Sequence, residues 1–467
     1  MLIIISDLHL TDGTSGLTIQ AEAFRIFRNH LRDLVYKACT RADGKYKPME
    51  QIELVMLGDI LDIIRSNKWN QAQVGEVGYV RPWHDPQSRD FINKVKEISQ
   101  AILDYNAVGL GVLNGLSEVG ISLPAAKNGQ AATALDNLAS PERVSVKVKI
   151  YYLVGNHDWF FHLPGPEYNQ IRQTIIDKIG LAHPANQPFP HDPSELSALL
   201  GVYRAHKVFA RHGDIYDPFN YEAEHGRNAS SLGDAIVVEL INRFPVVVQQ
   251  ELGHKLPEPF VSGLKELDNV RPSVLTPIWI NSLLRQCYID SALTKQVQAV
   301  WNGLADQFLN LDFVRQRDSY NPLDLVDKLQ LVLRFSESLS FQELSKVVSW
   351  VTTNEIISAW TGQQISGSYA PYSVTEDAFK DHRTNYIVYG HTHHYEIVPL
   401  DVSRVRGRPF QQVYFNSGTW RQRHNLANTH PREEEFIGYY VMSYLIFFKD
   451  DERGGHGFEA WSGALSA

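Results

Sequence analysis

Two rhythms of apolar residues alternate along this chain. Short apolar runs bounded by polar residues, at Leu2–Ile5, Ile52–Leu57, Val146–Val154, Tyr203–Ala210 and Tyr386–Tyr389, predict buried strands. Val413–Asn416 and Tyr439–Phe448 predict further strands near the C-terminus. Between the first two runs the spacing turns helical from Thr18 to Ala38, with Ala23, Ile26, Phe27, Leu31, Leu34 and Val35 on one face. A strand, a helix and a second strand in that order predict an α/β fold with parallel neighbours.

Two stretches break the pattern. Residues 66–145 carry a helical run around Phe91–Leu113 and then a Gly/Ala-rich loop near 120–140. Residues 218–384 form a much longer interruption. Leu232–Phe244, Ile278–Leu284, Leu293–Phe308, Leu323–Phe335 and Phe341–Trp360 all show helical spacing there, and a structureless loop of that length is improbable. The expected organisation is a core in two parts, 1–217 and 385–467, around a helical insertion or cap at 218–384. The apolar faces of the insertion suit either a cap over a site or a contact between copies of the chain.

Each of the first five strands ends in a polar loop. Asp7 and His9 follow the first, Gly58-Asp59 the second and Gly155-Asn156-His157-Asp158 the third; His212-Gly213-Asp214 follows the fourth and Gly390-His391-Thr392-His393 the fifth. Ligands of open α/β sheets gather at the carboxyl ends of strands, so these loops are expected to converge. In extended backbone, residues i and i+2 point the same way, which would let Asp7 with His9, and His391 with His393, each present two side chains. Gly58, Gly155 and Gly390 would let backbone approach closely.

Carboxylates and imidazoles at five converging loops are a donor set for divalent ions. A two-metal hydrolase holds its cations about 3.5–4 Å apart on a shared oxygen ligand. Composition narrows the alternatives. Cys39 and Cys287 are the only cysteines, so neither a disulfide framework nor a thiolate site is expected. The net charge of −9 gives no global field for nucleic acid or acidic lipid, although bound cations supply positive charge locally. No apolar run approaches a membrane span and Leu2–Ile5 is too short for a secretory signal, so the expectation is a cytoplasmic protein with no transmembrane segment.

D-x-H, G-D, G-N-H-D, H-G and G-H-x-H, in this order and each at a predicted strand end, resemble the calcineurin-like metallophosphoesterase superfamily. The resemblance covers about 1–215 and 385–420 and leaves the long insertion outside. It implies a layered β-sheet sandwich flanked by helices, here with a large, mostly helical insertion. By position it implies that Asp7, His9, Asp59 and His393 hold one divalent metal, and that Asp59, Asn156, His212 and His391 hold the other. Manganese comes first as the metal, with iron or zinc as alternatives. His157 would face the substrate phosphoryl group and protonate the leaving oxygen, oriented by Asp62, while a hydroxide between the ions attacks phosphorus in line. The opening around Asp7 and the His212-Gly213-Asp214 motif are most similar to the branch containing UDP-diacylglucosamine pyrophosphohydrolases. The chain departs from that branch at His157, where an arginine is usual, and in the length of its insertion.

The substrate class implied is a phosphorylated small molecule: a monoester, a diester or a nucleotide pyrophosphate. A nuclease acting on single-stranded nucleic acid is the second enzymatic reading, because repair nucleases of the superfamily also carry G-N-H-D. A catalytically silent scaffold is the non-enzymatic one. Arg421 and Arg423, after Asn416-Ser417-Gly418-Thr419, are candidate substrate-binding residues for a second phosphate. Asp12, Asp158 and Asp217 read as turn or cap residues, and Asp214 as either a turn or a partner of a ligating histidine. Trp69, Trp83, Trp159 and Trp420 read as packing residues. His394 points away from the motif, and His225, His254, His382, His424 and His430 are expected to be exposed.

Overall fold

The computed structural model describes residues 1–466, apart from 272–274, 319–325, 328, 331–332, 334–340, 344–367, 406 and 428–434. It is a mixed α/β protein built on two main sheets.

The larger sheet starts from β1 (Leu2–Ile5), which lies parallel to β2 (Ile52–Leu57), itself parallel to β3 (Val148–Leu153). The smaller sheet starts from β4 (Val208–Ala210). A short strand of the insertion, β5 (Val270–Arg271), belongs to the larger sheet. In the smaller sheet β6 (Tyr386–Tyr389) pairs in parallel with β4 and with β8 (Arg408–Asn416), and β7 (Glu396–Val405) pairs antiparallel to β8. The larger sheet is completed by β9 (Gln422–Leu426), β10 (Phe436–Phe447) and β11 (Phe458–Ser466). One edge of the long β10 carries β11, while the other receives β1 and β9 at successive positions.

Period-two alternation explains why β1 and β2 are apolar throughout. Ile3, Ile5, Leu54 and Met56 face a core shared with helices, including Phe24, Phe27, Leu31 and Val35 of the helix Ala21–Ala38. Leu2, Ile4, Val55 and Leu57 join Val208, Val388 and Phe415 of the smaller sheet in a second buried cluster. The insertion has a core of its own around Phe244, Phe260, Leu264 and Phe308. It is also bonded to the rest of the molecule. Buried Glu239 pairs with Arg81, Asn242 Nδ2 donates to Ile64 O at 2.9 Å, and the Leu17 amide donates to Glu266 Oε1 at 3.0 Å.

Several expectations change. Tyr203 to His206 lie in a helix, Ser197–His206, whose buried residues Leu199, Tyr203 and His206 fall at helical spacing. That helix stops at Lys207 in the left-handed region (φ 55°), so the strand keeps only Val208–Ala210. Phe91–Leu113 divides at Asn106 into Arg89–Tyr105 and Ala107–Glu118, with the Asn106 side chain donating to Thr11 O and Ile102 O. The loop near 120–140 contains the short strands Ile121–Pro124, Ala126–Lys127 and Gln130–Ala131. Among the described residues of 218–384 most regular structure is helical, and β5 adds to the larger sheet. The helices expected at Leu323–Phe335 and Phe341–Trp360 fall mostly outside the described residues. No helix among the described residues is long and apolar enough to cross a membrane.

Candidate metal centre

All five strand-end loops meet at one place. Asp7, His9 and His393 form one group whose donor atoms lie within 4.8 Å of one another; Asp59, His212 and His391 form a second, and His9, Asp62 and His157 a third. His9 Nε2 is 3.6 Å from Asp59 Oδ2 and 3.0 Å from His393 Nε2, and His393 Nε2 is 3.4 Å from Asp7 Oδ1. Asp59 Oδ2 is also 3.2 Å from His212 Nε2, so this carboxylate lies between the two histidine groups.

Convergence is achieved differently from the expected pleat. Asp7, His9, Asp59, His391 and His393 all have positive φ, between 44° and 66°. The pairs Asp7/His9 and His391/His393 therefore meet through left-handed backbone, not through extended alternation. Asp and His tolerate that region better than bulky or β-branched residues. Gly58 takes a positive φ of 84° and a Cβ there would meet the His212 ring, so it serves both turning and close approach, whereas Gly155 and Gly390 serve close approach. A Cβ at Gly155 would collide with Asp59 Oδ1 and the His212 ring, and one at Gly390 would come within 2.6 Å of Asp7 Oδ2.

Hydrogen bonds fix which imidazole nitrogen faces the centre. His212 Nδ1 donates to Leu57 O at 2.9 Å, so in the neutral ring Nε2 is the lone pair, and it is directed at Asp59. His9 Nδ1 donates to Asp62 Oδ2 at 2.7 Å and likewise directs Nε2 inward. Acceptors thus face acceptors. His212 Nε2 and the amide oxygen of Asn156 are buried and have no hydrogen-bond partner among the described residues. Buried acceptors without donors are costly unless a cation lies between them. This donor set fits a pair of divalent ions on imidazole, carboxylate and amide ligands.

The carboxylates call for positive charge here. Burial opposes charge on His212, but Asp59 outweighs it and raises the imidazole to about 10, so a proton on Nε2 stands where a cation would. Burial, reinforced by Asp59, pushes Asp7 up to about 6. Burial and the nearby Arg421 lower His9 to about 4, which keeps its imidazole neutral at ordinary pH.

His157 occupies the rim. Its side chain is 14% exposed, whereas Asp62 beneath it is fully buried. His157 Nδ1 donates to Asp62 Oδ1 at 2.7 Å, and its backbone amide donates to Asp59 Oδ1 at 2.9 Å. Burial works against its charge, but Asp62 and then Asp59 outweigh that and raise it to about 10. Asp62 therefore serves two imidazoles, His9 through one oxygen and His157 through the other. Only the second contact was expected from the motif.

Other residues divide between support and surprise. Asp158 braces the loops, accepting from the Ile60 amide at 2.9 Å and from Tyr152 OH at 2.6 Å. Asp12 caps its own turn through the Thr14 amide. Asp214 pairs with Arg227 at 2.7 Å. Asp217 accepts from the Phe219 amide, as a turn residue does, but its Oδ2 also lies 3.0 Å from His391 Nε2. No motif marks it. The Asn416–Thr419 turn braces the centre: Asn416 Nδ2 donates to Gly390 O, and Thr419 Oγ1 and the Trp420 amide both donate to Asp7 O. Trp69, Trp159 and Trp420 are buried, and Trp83 stacks on Phe313. His424, expected at the surface, is buried against Trp279 beside Glu266.

The two candidate arginines part company. Arg421 is buried and its Nη2 lies 2.6 Å from Asp268 Oδ2 of the insertion, so it is held in place by an ion pair. Arg423 lines a surface cavity together with His393. The chain matches no protein-family model, and no curated protein matches it significantly.

Proposed function

We propose that this chain is a dinuclear-metal phosphoesterase of the calcineurin-like kind, its two sheets forming the layered sandwich of that fold. One observation carries the reading. Four strand-end loops bring Asp7, His9, Asp59, His212, His391 and His393 together in two groups of donor atoms. In the fifth loop the buried Asn156 amide oxygen has no hydrogen-bond partner among the described residues, and cations suit this donor set.

When bound, two divalent ions such as manganese, with iron or zinc as alternatives, supply Lewis-acid polarisation and lower the pKa of water near neutral pH. The protein's own residues do the rest. Asp59 lies between the two ligand groups, and Asp7, His9 and His393 complete one of them. His212, His391 and Asn156 complete the other, with Asp217 orienting the His391 ring. His157 is partly open to solvent while Asp62 is closed off, so the imidazole meets the substrate and the carboxylate holds its Nδ1 proton. Asp62 favours the protonated imidazole, and His157 can deliver the Nε2 proton to the leaving oxygen.

The test is hydrolysis of p-nitrophenyl phosphate and bis-p-nitrophenyl phosphate with added manganese, alongside nucleotide pyrophosphates and single-stranded DNA. Manganese-stimulated release of product is expected. If the purified protein holds no metal and no ester in the panel is hydrolysed, the silent-scaffold reading replaces this one. Degradation of single-stranded DNA with strong preference for the diester would favour a nuclease.

A further inference from the structure

Beside the candidate metal centre lies a cavity whose wall includes His393. His394, Tyr395, Gly418, Arg423 and Tyr439 surround it, and the strand β11 closes one side. Arg423 lies on β9 directly opposite Tyr439 of β10. Its guanidinium is partly buried, which lowers its pKa. Nε is fully enclosed and has no hydrogen-bond partner among the described residues. Among the described residues no carboxylate pairs with it, in contrast to Arg421, Arg227 and Arg243, each of which has one.

A half-buried cation without a counter-charge is costly, and an anion entering the cavity would relieve the cost. We propose that this cavity receives a second anionic group of the substrate, with Arg423 as its ligand and Tyr395 and Tyr439 flanking the group between the two anions. Because His393 belongs both to the cavity wall and to the candidate metal centre, the second anion sits within one small molecule's reach of the reacting phosphoryl group. The substrate class is therefore an organic phosphate with a further phosphate or carboxylate, a nucleoside diphosphate being one example. The inference rests on the phosphoesterase reading for its reaction, though not for the binding event.

Two measurements separate those dependencies. Binding of inorganic pyrophosphate is followed by calorimetry on the full chain and on Arg423→Gln, Arg423→Ala and Arg423→Lys. Loss of a charged hydrogen bond predicts a dissociation constant raised about tenfold or more for Gln and Ala, with a smaller rise for Lys. In the manganese-loaded protein, kcat/KM for a nucleoside diphosphate relative to p-nitrophenyl phosphate is expected to fall about tenfold in Arg423→Gln. Pyrophosphate affinity within about threefold of the parent in both Gln and Ala variants overturns the proposal. If no ester is hydrolysed at all, the phosphoesterase reading fails while the calorimetry still decides the cavity.

Discussion

Asp62→Asn puts the shared carboxylate to its sharpest test. Asp62 accepts one hydrogen bond from His9 Nδ1 and one from His157 Nδ1, each at 2.7 Å. Asparagine has a single carbonyl oxygen, and its amide group is a donor. It can serve one imidazole as before; the other must turn a lone pair toward the amide and move its proton to Nε2. If His9 moves its proton, the ligand atom facing Asp59 is lost. If His157 does, the imidazolium loses the carboxylate that stabilises it. A hydrogen bond to a charged group is worth about 1.5–3 kcal/mol, and about 1.4 kcal/mol is tenfold. Asp62→Asn should therefore weaken manganese binding or turnover by about 10–100-fold. The alkaline limb of the kcat profile should also move to lower pH, because burial then acts on His157 without Asp62 to oppose it. Calorimetric manganese titration and kcat from pH 6 to 10 are the assays. The same substitution in a His157→Ala background isolates the His9 arm. Unchanged manganese affinity in that background, with the fold intact by circular dichroism, would refute the shared role.

Asp59→Asn should lower both metal content and turnover, read by metal analysis of the purified protein, since this carboxylate lies between the two groups. His157→Ala should keep its metal and lose about 10²–10⁴-fold in kcat; loss of metal instead would show that His157 is a ligand. Gly155→Ala drives a methyl into Asp59 and His212, so it should cost about 1–3 kcal/mol in thermal stability and weaken manganese binding as well. Asp234 is pushed up to about 6, mainly by burial. A raised carboxyl binds its proton more tightly folded than unfolded, so its contribution to stability is full below about pH 4 and lost as pH rises through about 6. Asp234→Asn should flatten melting temperature against pH across that window; an unchanged slope would show that other groups set it.

Much of the centre was legible because its parts are local. Each candidate ligand stands within a few residues of an apolar run, and glycine marks three of the turns. What escaped is information carried between segments. The second contact of Asp62 depends on where β1 sets His9, and the partner of His391 comes from the loop at Asp217. The helix at Ser197–His206 escaped because its aromatic and aliphatic residues suit a strand equally well, and only tertiary burial of Leu199, Tyr203 and His206 decides. Val270–Arg271 is too short to carry a period, and His424 is buried by Trp279, which lies far from it in the chain.

The left-handed backbone at Asp7, His9, Asp59, His391 and His393 has a consequence for how this centre can vary. Every one of these positions is filtered twice, once for the atoms offered to a cation and once for tolerance of a backbone that costs most side chains about 1–3 kcal/mol. Exchanging ligands for others of equal affinity, such as a longer carboxylate, meets the second filter even when it passes the first. On the proposed reading, variation stays open mainly at wall positions with ordinary backbone, such as Tyr395, Arg423 and Tyr439, where substrate preference would drift without disturbing the positions that would hold the ions.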